Sequence, residues 1–293
     1  MGILSVYEEI LPPSDDYVFK AIMTHPDAKP ALMDLISAAI GRTVVGVQIR
    51  NNELPSGDVD EKNERLDVNC VIDDGSQVDV EVQGSKIEGL DGGRHSFINK
   101  TVYYLTDLHS SQKSKGVRYA DFVRTYQITF SAHAVFKWPE YVTEASLRTQ
   151  NGIQISDQIH IIIVELNKLG DVLKKPVLEM TPLEMWSAFL GYAADPKQRK
   201  LINEVLESKE AIGMAAAVLA EISKDEHERA KFLSRRKFET DMTSNLLTVE
   251  ERGRRAGRLD GWRAVARDMK AEGMSVEAIS RLTKLPVSEV ENL

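Results

Sequence analysis

Apolar residues near the start of the chain recur at helical spacing: Val18, Phe19, Ile22 and Met23, then Leu32, Leu35, Ile36 and Ile40. They line one face of a 3.6-residue repeat. Proline removes a helix hydrogen bond and crowds the preceding turn, so the break at His25-Pro26 predicts two helices, or one bent helix, between Asp16 and Ile40. Thr43 to Ile49 (TVVGVQI) is rich in β-branched residues and predicts a strand. Leu66 to Ile72 and Gln77 to Gln83 alternate apolar and polar residues on either side of Asp73-Asp74-Gly75, which predicts a hairpin. Phe97, Thr101, Tyr104, Leu105 and Leu108 share one face of a predicted helix. Val123 to Phe130 and Ile159 to Leu166 read as further strands, the second holding the buried run Ile161 to Val164 between His160 and Glu165.

From Thr181 onward the pattern is helical. Thr181-Pro182-Leu183-Glu184 has the N-cap, N1 proline and N3 acid of a capping box, and Asp195-Pro196 opens another helix. Gly273 to Leu282 and Pro286 to Val290 predict two short helices, with Ser275 and Ser288 as their caps. Such a pair serves either a DNA-reading helix-turn-helix or plain packing and dimerisation. The chain therefore reads as α/β (α+β), a mixed sheet flanked by helices over residues 1–175, followed by a helical region over 176–293.

The faces of the hairpin fix its register. With Gly75 left-handed in a three-residue loop, Cys70 opposes Val78, Val68 opposes Val80 and Leu66 opposes Val82, an all-apolar face. The other face then sets Asn69 against Asp79 and Asp67 against Glu81, with Gln83 next along. A two-residue turn would mix the faces, setting Asp67 against Val82 and Cys70 against Asp79. Acids directly opposed at about 4.5–5.5 Å repel unless compensated. Two readings stand at this point: the polar side of a half-exposed sheet, or carboxylates that hold a hard divalent cation such as Mg²⁺.

Charge sharpens the picture. The 293 residues carry a net charge of -8, yet residues 53–91 hold 12 acids against three bases, so the rest of the chain is close to neutral. That argues against a surface that binds nucleic acid everywhere. Residues 251–270 run the other way, with seven bases against three acids, including Arg252, Arg254, Arg255 and Arg258. This stripe suits phosphates or a solvated helix. A single cysteine forms no internal disulfide and points to a reducing, cytoplasmic setting. No apolar run approaches the ~18 residues of a membrane span. Six scattered histidines show no zinc spacing, and neither a nucleotide-binding loop nor a nucleophile elbow is present.

Several pieces in one order are informative together: Asp16-x-x-Phe19-Lys20, Lys62 to Val68 (KNERLDV), Val80-Glu81-Val82-Gln83, Phe97-x-x-Lys100-x-x-x-Tyr104 and Gly116-Val117-Arg118-Tyr119. They resemble the Rpn family of recombination-promoting nucleases and transposases, within the PD-(D/E)XK nuclease superfamily, over about residues 15–170; the helical tail with its GRRAGR stretch is similar too. The resemblance implies a restriction-endonuclease-like αβββαβ core and a metal-dependent DNA endonuclease using Mg²⁺ or Mn²⁺. It implies Asp67 and Glu81 as metal-binding acids, Asp16 as a further one, and Gln83 at the superfamily's lysine position. Lys100 and Tyr104 complete the expected catalytic set, with Lys100 standing where the family usually has arginine. That change keeps the charge and loses the bidentate fork. DNA is the expected partner, with Arg252, Arg254, Arg255 and Arg258 as candidate contacts. A homodimer is expected because a duplex has two antiparallel strands; neither membrane nor nucleotide cofactor is expected. The rival reading is a DNA-binding or oligomerisation protein on the same fold, catalytically weak or inactive.

Overall fold

The computed structural model describes residue 4 and residues 9–50, 68–84, 94–113 and 117–293. The first helix, α1 (Asp16–Met23), is capped by the Asp15 carboxylate, which accepts from the Tyr17 and Val18 amides at 3.0 and 3.3 Å. A short 3₁₀ turn at Pro26–Ala28 separates it from α2 (Lys29–Ile40), so the proline does divide the segment into two helices. Six strands follow among the described residues: β1 (Val47–Ile49), β2 (Val68–Ile72), β3 (Gln77–Gln83), β4 (Thr125–Ser131), β5 (Val142–Arg148) and β6 (Gln154–Glu165). Between β3 and β4 runs α3 (Arg94–Ser110), whose buried residues are Phe97, Thr101, Tyr104, Leu105 and Leu108, the predicted stripe.

The sheet order is β1-β2-β3-β4-β6-β5, with β3, β4 and β6 parallel and the remaining pairs antiparallel. It is a mixed sheet with flanking helices, an α/β arrangement of restriction-endonuclease type. The hairpin has the register argued from its faces: Val68 pairs with Val80, Asn69 with Asp79 and Cys70 with Val78. Gly75 adopts φ +85° and its amide donates to the Ile72 carbonyl at 2.9 Å, the left-handed loop position that favours glycine. Strand β5 escapes the sequence pattern because it is an edge strand, half exposed, without alternating burial. Strand β6 likewise begins at Gln154, ahead of the expected Ile159, in an exposed extension that pairs only with β5.

The centre of one sheet face is apolar: Val68, Cys70, Val78, Val80, Val82, Ile128, Phe130, Ile162 and Val164 are all buried. Ala39 and Ile40 of α2 line a cavity together with Tyr126, His160 and Ile162 of this face. Burial, with Asp79 adding to it, pushes the Cys70 thiol up to about 12, so it is an inert core residue. Helix α5 (Arg199–Ser208) packs on both α4 (Pro182–Tyr192) and α6 (Glu210–Lys224), and α4 and α6 also pack on α2. The capping box of α4 is complete, with Glu184 N to Thr181 Oγ1 at 3.2 Å and Thr181 N to Glu184 Oε2 at 2.8 Å.

Contacts divide the chain into one compact unit ending at Arg229 and a second from Ala230 to Leu293. The change from strands to helices near residue 175 falls within the first. Helix α7 (Glu226–Ala271) runs on through the second unit, where α8 (Val276–Thr283) and α9 (Val287–Glu291) pack with its end around Ala266, Ile279, Leu285 and Val290. Ser275 caps α8 through the Ala278 amide at 3.3 Å. Ser288 lies inside α9 instead of capping it, because Pro286, with its φ already fixed, takes the N-cap position. Among the described residues no helix is long and apolar enough to cross a membrane.

Candidate active site

The polar face of the sheet is not a solvent face. Strand alternation and the parallel pairs Asp79–Gln127, Glu81–Thr129 and Gln83–Ser131 bring these side chains to one side, and α3 lies over it. Lys100 of α3 pairs with the Glu81 carboxylate, and His109 Nδ1 lies 2.9 Å from Thr125 Oγ1. Asn69, Gln77, Asp79, Glu81, Thr125, Gln127, Thr129 and Ser131 are all buried. Of the two readings of the hairpin, the half-exposed polar face is therefore set aside for these residues.

Asp79 is the most constrained of them. Its side chain is fully buried, and Oδ2 accepts from Gln127 Nε2 at 2.7 Å. Its Oδ1, Gln127 Oε1 and Thr129 Oγ1 are buried with no hydrogen-bond partner among the described residues. Burial pushes the Asp79 carboxyl up to about 8; Glu81 adds to the rise, and the Gln127 hydrogen bond and Lys100 oppose it. Native structures rarely leave such oxygens bare. A carboxylate or amide oxygen can only accept, so bare oxygens of this kind suit a positively charged guest.

Lys100 bridges two groups, with its Nζ at Glu81 and 5.2 Å from the centre of the Tyr104 ring one turn later. The buried ring thus holds the lysine over the carboxylate. Asp16, at the start of α1, accepts from the Gly84 amide at 3.4 Å, one residue beyond Gln83. Gly84 allows this close approach: a Cβ there would lie 2.6 Å from the Ser14 carbonyl oxygen. Gly84→Ala is accordingly expected to lower stability by about 1–3 kcal/mol, measurable as a fall in urea midpoint; an unchanged midpoint would show that the loop before α1 yields freely.

The structure thus assembles Glu81, Lys100 and Tyr104, and places Asp16 next to the end of the strand that carries Gln83. Asp67, and with it the Lys62 to Asp67 part of the motif, lies outside the described residues. Among the described residues no group of three or more His, Cys, Asp or Glu side chains is placed to hold a metal. Arg252, Arg254, Arg255 and Arg258 are exposed on α7, in the second unit, and Arg254 Nη2 lies 2.5 Å from Glu250 Oε1. Sequence reasoning missed Gln127, whose place depends on parallel pairing across α3, and left Asp79 unassigned although its register was correct. Another buried acid, Glu165, is structural: it accepts from the Val135 and Phe136 amides at 2.6 and 3.1 Å and from Lys168 at 2.7 Å.

The family model described as PD-(D/E)XK nuclease family transposase matches residues 13–248 of the chain. That span contains Asp16, Asp67, Glu81, Gln83, Lys100 and Tyr104. Comparison with curated proteins and with solved structures gives no match.

Proposed function

Since the chain belongs to the PD-(D/E)XK nuclease family transposases, we propose that it is a divalent-metal-dependent endodeoxyribonuclease that hydrolyses DNA phosphodiester bonds in recombination or transposition-related processes. The observation that carries this reading is the buried polar face, where Glu81 pairs with Lys100 and an oxygen of Asp79 has no partner among the described residues. Carboxylate oxygens are hard donors and fit Mg²⁺ or Mn²⁺. Asp67 and Glu81 would hold the ion, with Asp16 as a further acid. When bound, such a cation supplies positive charge to a phosphodiester oxygen and acidifies the attacking water.

The chain's own residues do the rest. Gln83 has no titratable proton at ordinary pH, so its amide orients water and does not deprotonate it. Lys100 presents its ammonium to the charge that develops on the phosphate, and Tyr104 acts as a positioning residue for Lys100. Arg252, Arg254, Arg255 and Arg258 bind phosphates without reading sequence, which makes affinity fall with salt. The protein works in the cytoplasm, where Cys70 stays a thiol.

Supercoiled plasmid incubated with the purified protein and Mg²⁺, Mn²⁺, Ca²⁺ or EDTA tests the proposal. Nicking or linearisation that needs Mg²⁺ or Mn²⁺ supports it. Binding without cutting in every metal would leave the DNA-binding reading in its place. Lys100→Ala is expected to slow single-turnover cleavage by about 10²–10³-fold, whereas Lys100→Arg, restoring the residue usual in the resembled family, should stay within about tenfold of the parent. Equal rates for all three would remove Lys100 from the mechanism.

A further inference from the structure

Helix α7 carries an apolar stripe that nothing among the described residues covers. Phe238, Met242, Leu246, Val249, Gly253 and Ala256 fall within about 80° of one another around the helix, and the four large side chains are 66%, 46%, 64% and 65% exposed. Arg254, Arg255 and Arg258 occupy the opposite arc, together with Leu247, and Arg252 lies on a flank of the stripe. A solvated helix gains nothing from such a stripe. Nor does it gain from glycine at 253 and 257, which weakens a helix interior, and where a Cβ would meet nothing within 4 Å.

We propose that this stripe is the contact surface between two copies of the chain, packed antiparallel about a two-fold axis level with residues 247 and 248. Size and charge give the register. Counted outward from that point, Leu246 stands opposite Val249, Met242 opposite Gly253 and Arg235 opposite Asp260. Phe238 falls over Ala256 and its neighbour Gly257, and Asp241 shares a flank with Arg252. Bulky residues of the first half thereby meet small residues of the second, and opposite charges meet. A parallel, in-register pair would instead stack Phe238 on Phe238, leave Gly253 facing Gly253, and set Asp260 against Asp260. The antiparallel contact is self-complementary, as a closed two-fold interface must be, and it runs along about 39 Å of helix from residue 235 to 260. It leaves Arg254, Arg255 and Arg258 on the outer sides of the pair, pointing away from one another, so each copy would offer its own phosphate-binding face. That last link alone rests on the nuclease reading; the dimer does not.

Paired cysteines in the full-length protein test it independently of cleavage. The buried Cys70 stays in place, and Met242→Cys is combined with Gly253→Cys, a position with open space for the new side chain. Mild oxidation is expected to convert most of the double variant to a covalent dimer. Each single variant should remain uncrosslinked, because its symmetric copy lies about 16 Å away along the helix axis. Self-crosslinking of the single variants would overturn the antiparallel register. No crosslink in the double variant, with sedimentation equilibrium showing unaltered protein as one chain across the micromolar range, would overturn the dimer and assign the stripe to another partner. Leu246→Glu should weaken self-association of the wild-type chain at least about tenfold in the same sedimentation experiment; an unchanged association would also count against this surface.

Discussion

Glu81→Gln is expected to lower metal-dependent plasmid cleavage by at least about 10³-fold while leaving the thermal unfolding midpoint within a few degrees of wild type. The substitution keeps the shape of a buried strand residue and removes only its charge. Glutamine still offers an oxygen to Lys100, whose side chain is partly exposed and is solvated in the variant. What is lost is one of the acids that would hold the cation. Asp67→Asn should cause a loss of the same order, and the double variant should be no worse than either single one, because residues that act as a unit are not additive. Titration calorimetry with Mn²⁺ separates binding from chemistry: both variants should show weakened metal affinity. Cleavage at the wild-type rate by a folded Glu81→Gln would sink the assignment of the metal acids. Retained metal affinity with lost cleavage would move Glu81 from the metal to the water or the phosphate.

The parts of the site legible in sequence are those fixed by local periodicity. Turn chemistry at Gly75 and the two faces of the hairpin determine that Asn69 meets Asp79, because a slip of one residue would bury acids among valines. The stripe from Phe97 to Leu108 fixes which side of α3 is buried, and so brings Lys100 and Tyr104 to the same edge. Less legible is what a face looks onto. The polar side of β3 has the alternation of a solvent face, and only the crossover through α3 buries it. For the same reason Gln127 gives no local signal, since a parallel neighbour is chosen by a connection that spans the whole of α3. Strand β5 has neither a buried face nor a marked turn before it. In the tail, the helical spacing of α7 is legible as helix, but its mean composition hides the apolar stripe from Phe238 to Ala256.

Asp79→Asn is expected to stabilise the protein by about 2 kcal/mol at neutral pH and to reduce cleavage in the same preparation. In the folded chain this carboxyl is removed from water, placed beside Glu81 and given one hydrogen bond, so it carries a cost there whether it is held neutral or charged. Asparagine keeps an acceptor for the Gln127 amide and removes the carboxyl, and with it the repulsion toward Glu81. Chemical denaturation should therefore show a higher midpoint at unchanged slope. A cost retained at one buried acid, with two further oxygens that also lack partners among the described residues, is the pattern of a site that keeps function at the expense of stability. Divalent cation should narrow the gap: bound ligand stabilises the parent by about 2.7 kcal/mol at a hundredfold excess over Kd, and the variant, with a less acidic face, should gain less. Equal stability of variant and parent without metal would show that the surroundings already compensate the Asp79 carboxyl. A more stable variant with full cleavage would make the carboxyl dispensable, and would leave Glu81 with Asp67 as the sole charged acids the chemistry requires on these strands.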